Sequence, residues 1–175
     1  MRRDLSVFDG AKPGKIFLGK GVVSLQETGV ASENEQEDVR KNSLSRGDRR
    51  VRIEIGGLQF ELELYDNGAA KALAAGLPQK LSLSRWGGEY YGSLGTRIPA
   101  KGEHRDLYEP GEVALWPPGN AFCIFFGPTP ASTDDRPRMA SPGVPLGRIH
   151  GDLAELEKLG AGVSAVLTNG PQDSR

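Results

Sequence analysis

From residue 51 onward, apolar and polar residues alternate along the chain. In "VRIEIGGLQFELELY", Val51, Ile53 and Ile55 share one face, and Leu58, Phe60, Leu62 and Leu64 form a matching set. Alternation with period two marks a strand with one wet side, here carrying Arg52, Glu54, Glu61 and Glu63. The Gly56-Gly57 pair between the runs predicts a tight hairpin, because a two-residue turn needs positive φ. The period then lengthens. "DNGAAKALAAGLP" spaces Ala70, Leu73, Ala74 and Leu77 as a helix does, with Asp66 or Asn67 as N-cap and Gly76 and Pro78 as stop.

"QKLSLSRWGGEYYGSL" reads as one strand with a bulge at Gly87-Gly88. "GEVALWPPGNAFCIFFGP" reads as a second hairpin turning at "PPGN", with strands apolar on both faces and therefore covered on both. Residues 127–145, with five prolines, read as a long loop and a candidate lid. "LGRIHG" and "GVSAVLT" are strands. Between them "DLAELEKLG" is a short helix with a capping box, Asp152 and Glu155. The tally is about seven or eight strands and two short helices. It predicts a mainly β fold, a closed barrel of about eight strands with two short capping helices. That domain spans 51–168, and 169–175 is a frayed tail.

Residues 1–50 differ in kind. "KIFLGKGVVSLQ" has strand character, but the charged segment after it contains almost no large apolar residue. Such a segment cannot offset its own ordering entropy, so it reads as a flexible linker within an N-terminal appendage. "GKIFLGKG" imitates a phosphate-binding loop. Gly21 stands where Ser or Thr should meet magnesium, however, and a strand-like run follows where a helix should start.

Across all 175 residues the formal net charge is −1, without the basic surplus of a nucleic-acid binder. No apolar run approaches the ~18 residues of a membrane span. The lone Cys123 fits a reducing compartment, and no apolar stretch follows the opening arginines, so a cytoplasmic location is expected.

Several short motifs recur in one order: the DN-helix-LP unit, "WGGEYY", "GEVALW", "FFGPTP" and "LGRIHGD" before the second helix. Over 51–168 this order resembles the uncharacterised prokaryotic proteins with a cyclophilin-like fold. The resemblance implies an eight-stranded closed barrel with a helix at each end. The FHR-type motif of the prolyl isomerases is missing, and His104 and His150 stand in unrelated contexts. The fold is thus expected without conventional prolyl isomerase activity.

The candidate site is the "RWGGEYY" segment. Trp86, Tyr90 and Tyr91 can be plain wall aromatics with Glu89 in water. Alternatively, Glu89 and Tyr91 line a concave face with Arg85 nearby, and the carboxyl has a raised pKa. Phe125 and Phe126 are candidates for a pocket floor. The ligand-binding set is therefore Arg85, Trp86, Glu89, Tyr91, Phe125 and Phe126. The ligand expected is a small molecule or short peptide; the alternative is a divergent prolyl isomerase or another enzyme using Glu89 as acid or base. Trp116 reads as a barrel-end plug, Cys123 as a buried inert thiol, and Glu109 and Glu112 as solvated. Arg148 reads as a surface residue. Metal-ligand spacing and a nucleophile–histidine frame are absent from the sequence, and no cofactor is expected.

Overall fold

The computed structural model describes residues 49–171, all within the unit Leu44–Arg175. The strand expected at 15–26 and the linker after it lie outside the described residues. Strands β1 (Arg50–Ile55) and β2 (Leu58–Leu64) form the expected hairpin, with Ile55 opposite Leu58 and positive φ at Gly56 and Gly57. Helix α1 (Gly68–Ala75) begins at Asn67, whose side chain accepts a hydrogen bond from the Ala70 amide. Strands β3 (Gln79–Trp86), β4 (Glu89–Ser93), β5 (Arg105–Leu107), β6 (Glu112–Trp116) and β7 (Ala121–Phe125) follow. The remaining elements are β8 (Arg138–His150), helix α2 (Ala154–Glu157) and β9 (Gly162–Asn169).

The pairing order β2-β1-β9-β3-β4-β7-β6-β8, with β2 also paired to β8, makes eight strands a closed antiparallel ring. A closed ring leaves no free edge among its members. β5 attaches outside it, along the first half of β8. The fold is mainly β, as the alternation requires. β9 runs to Asn169, and the Gly170 amide donates to the Arg50 carbonyl at 3.0 Å, so the ladder extends into the segment read as tail.

Alternation separates two apolar clusters. Leu62, Leu81, Leu83, Tyr90, Phe122 and Ile124 belong to the cluster inside the ring, which Ala69, Ala70 and Leu73 of α1 and Leu156 of α2 join. Their neighbours on the other face, Cys123 and Phe125, belong to a second cluster with Ala114, Tyr108 and Met139. Residues outside the ring are therefore also buried, because the first half of β8 and the segment carrying Tyr108 cover this part of the sheet. The doubly apolar strands β6 and β7 needed such a cover.

Three local expectations are corrected. "QKLSLSRWGGEYYGSL" is two strands, not one bulged strand: Gly87-Gly88 is a hairpin turn with Trp86 opposite Glu89. Residues 127–145 are not all loop, because β8 starts at Arg138 and contains Pro142 and Pro145. A proline cannot donate to a ladder, and the β6–β8 register shifts between Val113 and Ala114, the residue that faces Pro145. Glu155 does not complete a capping box. Asp152 accepts from the Ala154 amide, while Glu155 pairs with Lys158 at 2.6 Å. Among the described residues no helix is long and apolar enough to cross a membrane.

The turn at Gly87-Gly88 is packed backbone to backbone. The Gly88 amide donates to the Pro128 carbonyl, and the amides of Phe126 and Gly127 donate to the Gly88 carbonyl. A Cβ on Gly88 would stand 2.2 Å from the Gly127 carbonyl carbon. Gly88→Ala should therefore lower stability by at least about 1–3 kcal/mol, the usual overpacking cost. Gly160→Ala, with open space around it, should leave stability within ~0.5 kcal/mol. Urea unfolding of both variants measures the contrast.

Candidate functional site

The two-residue turn decides which residues meet. Because Trp86 and Glu89 are directly opposed, they point to the same face of the sheet. Tyr91, two residues on, shares that face and lies opposite Cys123 of β7. In the β6–β7 hairpin, Cys123 faces Ala114, so Trp116 also points this way. β8 then passes over the rim and adds Met139 and Ala140. Together these side chains line a mostly apolar cavity of about 270 Å³ on the outside of the ring. The Trp116 indole is fixed by a hydrogen bond from Nε1 to Ser141 Oγ at 2.8 Å.

Glu89 is the polar centre of this cavity. Its residue is only 4 % exposed, and Oε2 has no hydrogen-bond partner. Burial pushes its pKa up to about 7, and a side-chain hydrogen bond with Cys123 only partly opposes that rise. The thiol is itself buried, and its pKa is raised by desolvation first and by Glu89 second. Near neutral pH the pair therefore consists of a protonated thiol beside a carboxyl that gains or loses its proton readily. A partner-free oxygen in an apolar cavity is what a ligand with a complementary polar group would satisfy.

The structure divides the six residues singled out from the sequence. Trp86, Glu89 and Tyr91 line the cavity. Arg85 lies on the other face, opposite Tyr90. Its guanidinium donates to the carbonyls of Gly87, Glu157 and Leu159, and stands 5.1 Å from the Phe126 ring centroid. Arg85 thus holds the C-terminal end of α2, where a cation and its N–H donors are favoured. Phe126 packs with Tyr90 inside the ring, at 5.3 Å between centroids. Phe125 is fully buried and stacks on Tyr108 at 4.6 Å, so it belongs to the floor cluster without lining the cavity.

Four lining residues were not in that set. Trp116 is not a barrel-end plug but a wall of the cavity. Cys123 is buried as expected, yet its thiol meets Glu89. Both could be placed by pairing β6 with β7 and noting that Trp116, Cys123 and Ala114 share one face. Met139 and Ala140 carried no such signal, since the prolines around them hid the strand. The segment 127–137 supplies no lining residue. It is tied down internally, with the Thr129 amide donating to Ser132 Oγ and the Ser132 hydroxyl donating to the Arg136 carbonyl.

Glu112 is not solvated. It is 4 % exposed and accepts hydrogen bonds from Arg105, from the Tyr65 hydroxyl and from the Glu109 amide. Burial works to raise its pKa, but these donors outweigh it and hold the carboxyl below its ordinary value. With its oxygens satisfied, Glu112 is a structural pin. Glu89 and Glu112 are equally buried, and only Glu89 has an oxygen left over. Among the described residues, no group of three or more His, Cys, Asp or Glu side chains is placed to hold a metal ion.

The comparisons with known proteins follow this geometry. A family model described as cyclophilin-like matches residues 49–168. Similar solved structures include the solution structure of the hypothetical protein AF2241 from Archaeoglobus fulgidus. It is 34% identical, covers 72% of this chain and 98% of that chain, and superposes with a TM-score of 0.60. No curated protein matches the chain.

The raised pKa of Glu89 makes stability depend on pH. Below its ordinary value of 4.5 the group is protonated both folded and unfolded. As pH rises towards 7 only the unfolded chain ionises, so the folded state loses stability across that window and then levels off. The loss should total roughly 3 kcal/mol. Glu89→Gln should flatten this part of the profile, as followed by urea unfolding between pH 4.5 and 8.

Proposed function

The chain belongs to the cyclophilin-like family, and from that premise we propose that it is a binding module for a small molecule or short peptide. The ligand enters the cavity on the outer face of the ring. The observation that carries this reading is the orphaned Oε2 of Glu89, buried among Trp86, Tyr91 and Trp116. A protein without a ligand there would gain by replacing Glu89 with an apolar residue, since an unpaired buried carboxyl costs stability. The cavity, at about 270 Å³, lies just under the roughly 300 Å³ at which drug-sized pockets begin. It suits a compact molecule or a single side chain.

A prolyl isomerase reading has less support. Arg85, the arginine that reading would use, has its guanidinium committed to backbone carbonyls on the opposite face. Among the described residues the cavity lining contains no arginine. One observation does favour chemistry: a carboxyl poised near pH 7 suits general acid–base work. Acid–base catalysis on the bound ligand is accordingly the second reading.

Both tryptophans of the chain, Trp86 and Trp116, line the cavity, so intrinsic fluorescence reports its occupancy directly. Titration with a compact apolar alcohol, 3,3-dimethylbutan-1-ol, should give a saturable change in emission. Half-saturation is expected on the order of 1 mM, equivalent to about 4 kcal/mol of binding. Ala140→Phe, placed on an exposed lining position, should fill the cavity and abolish the response. A linear, non-saturating response shared by both proteins would refute the reading.

A further inference from the structure

We propose that the ligand is an alkylammonium cation, held by Trp86, Tyr91 and Trp116 around its alkyl groups and by Glu89 beneath its charge. The inference rests on the binding reading above and adds the ligand's chemical class.

Three features of the lining select that class. First, its large side chains are predominantly aromatic: two tryptophans and a tyrosine, with Met139 beside them. Ring faces carry partial negative charge and attract cations, and tryptophan does so most strongly. Cages of such rings are the usual solution for quaternary ammonium groups. Second, among the described residues the lining has one carboxyl, which has a free oxygen, and no basic side chain that competes for it. Among the described lining residues an anionic ligand would find no positive partner and would face an acid. Third, the cavity is compact and mostly apolar. It fits a group whose surface is methyl and whose charge is diffuse and weakly hydrated, better than a strongly hydrated cation that must shed its water.

The remaining geometry agrees. The cation centre of Arg85 lies over the rings of Tyr90 and Phe126, on the far side of the same sheet. The outer-face aromatics keep their ring faces free of such an internal partner: the described cation–ring contacts involve Tyr90, Phe126 and Tyr108, and none of the three lining aromatics. Cation binding would also resolve the orphaned oxygen by turning a buried carboxyl into one member of an ion pair.

A proton linkage follows. Glu89 must be ionised to pair with the cation, so binding releases a proton when the free carboxyl is protonated. The titratable groups facing Glu89 are Cys123 from β7 and Tyr91 from its own strand, while Trp86 of β3 and Met139 of β8 do not titrate. The Cys123 thiol is held protonated well above its ordinary range, so it does not contribute near neutrality.

The test compares choline with its neutral carbon isostere, 3,3-dimethylbutan-1-ol, by tryptophan fluorescence on the full chain at pH 6 and pH 8. Choline should bind at least tenfold more tightly than the alcohol at pH 8. With the Glu89 pKa at about 7, its affinity should fall roughly tenfold at pH 6, while the alcohol's stays constant. Glu89→Gln should remove the pH dependence and reduce the preference several-fold, yet still bind the alcohol. Trp86→Leu, which keeps an apolar wall without the ring, should weaken choline by tenfold or more. A peptide carrying trimethyllysine forms a further arm: tighter binding than choline assigns the cation to a side chain, weaker binding to a free molecule. Equal affinity for choline and the alcohol at both pH values would overturn the cation inference while leaving the binding reading intact. Saturation by neither would overturn both.

Discussion

The structure turns on the contact between the backbones of Gly88 and Gly127. Two strands and the chain leaving β7 converge there, with three amide–carbonyl hydrogen bonds across a gap that has no room for a Cβ. The contact closes the β3–β4 turn in two residues. A two-residue turn makes Trp86 and Glu89 direct partners and so puts them on one face. With a bulge in place of the turn, β3 would run on as a single strand and the two residues would not be opposed. The same contact directs the chain after Phe126 away from the ring, so that it can return as β8 and lay Met139 over the outer surface. Closure of the cavity and parity of its lining thus share one origin.

Two buried carboxyls are treated differently by the fold. Glu112 is surrounded by donors from three segments and is held ionised. That arrangement ties β5, β6 and the end of β2 together at the edge of the second apolar cluster. Glu89 has received one weak donor, a thiol, and keeps an oxygen without a partner. Equal burial with unequal satisfaction sets Glu89 apart from Glu112, and it is the observation on which the proposed binding role rests. The arginines divide in the same way. Arg105 serves Glu112 and stands over the Tyr108 ring, whereas Arg85 closes α2. Among the described residues the lining is left with a single carboxyl and aromatic walls. In a family that shares the closed ring, the character of the site is set by these few substituents and not by the ring itself.

Much of this architecture was legible in the chain. Alternation from Val51 to Leu64, the helical spacing after Asn67 and the Gly56-Gly57 and "PPGN" turns follow from local stereochemistry, which a sequence states directly. Three of the six residues singled out, Trp86, Glu89 and Tyr91, do line the cavity. Arg85, Phe125 and Phe126 do not: Arg85 is next to Trp86 in β3 and so faces the ring interior, Phe126 also packs inside, and Phe125 is covered by Tyr108. Met139 and Ala140 were hidden because prolines in a strand are tolerated only where the ladder is irregular, and that irregularity is visible only with β6 in place.

The sequence by itself determined that this is a mainly β chain with short helices, which residues alternate, and that an acid sits among aromatics near a glycine pair. The tertiary structure alone decided that the acid faces an outer cavity, that Trp116 and Cys123 meet it there, and that Glu112 is satisfied while Glu89 is not. The reason is one of range. Periodicity and turn chemistry act over a few residues, but the state of a buried carboxyl depends on donors that the chain brings from tens of residues away, and only the closed ring specifies which of them arrive.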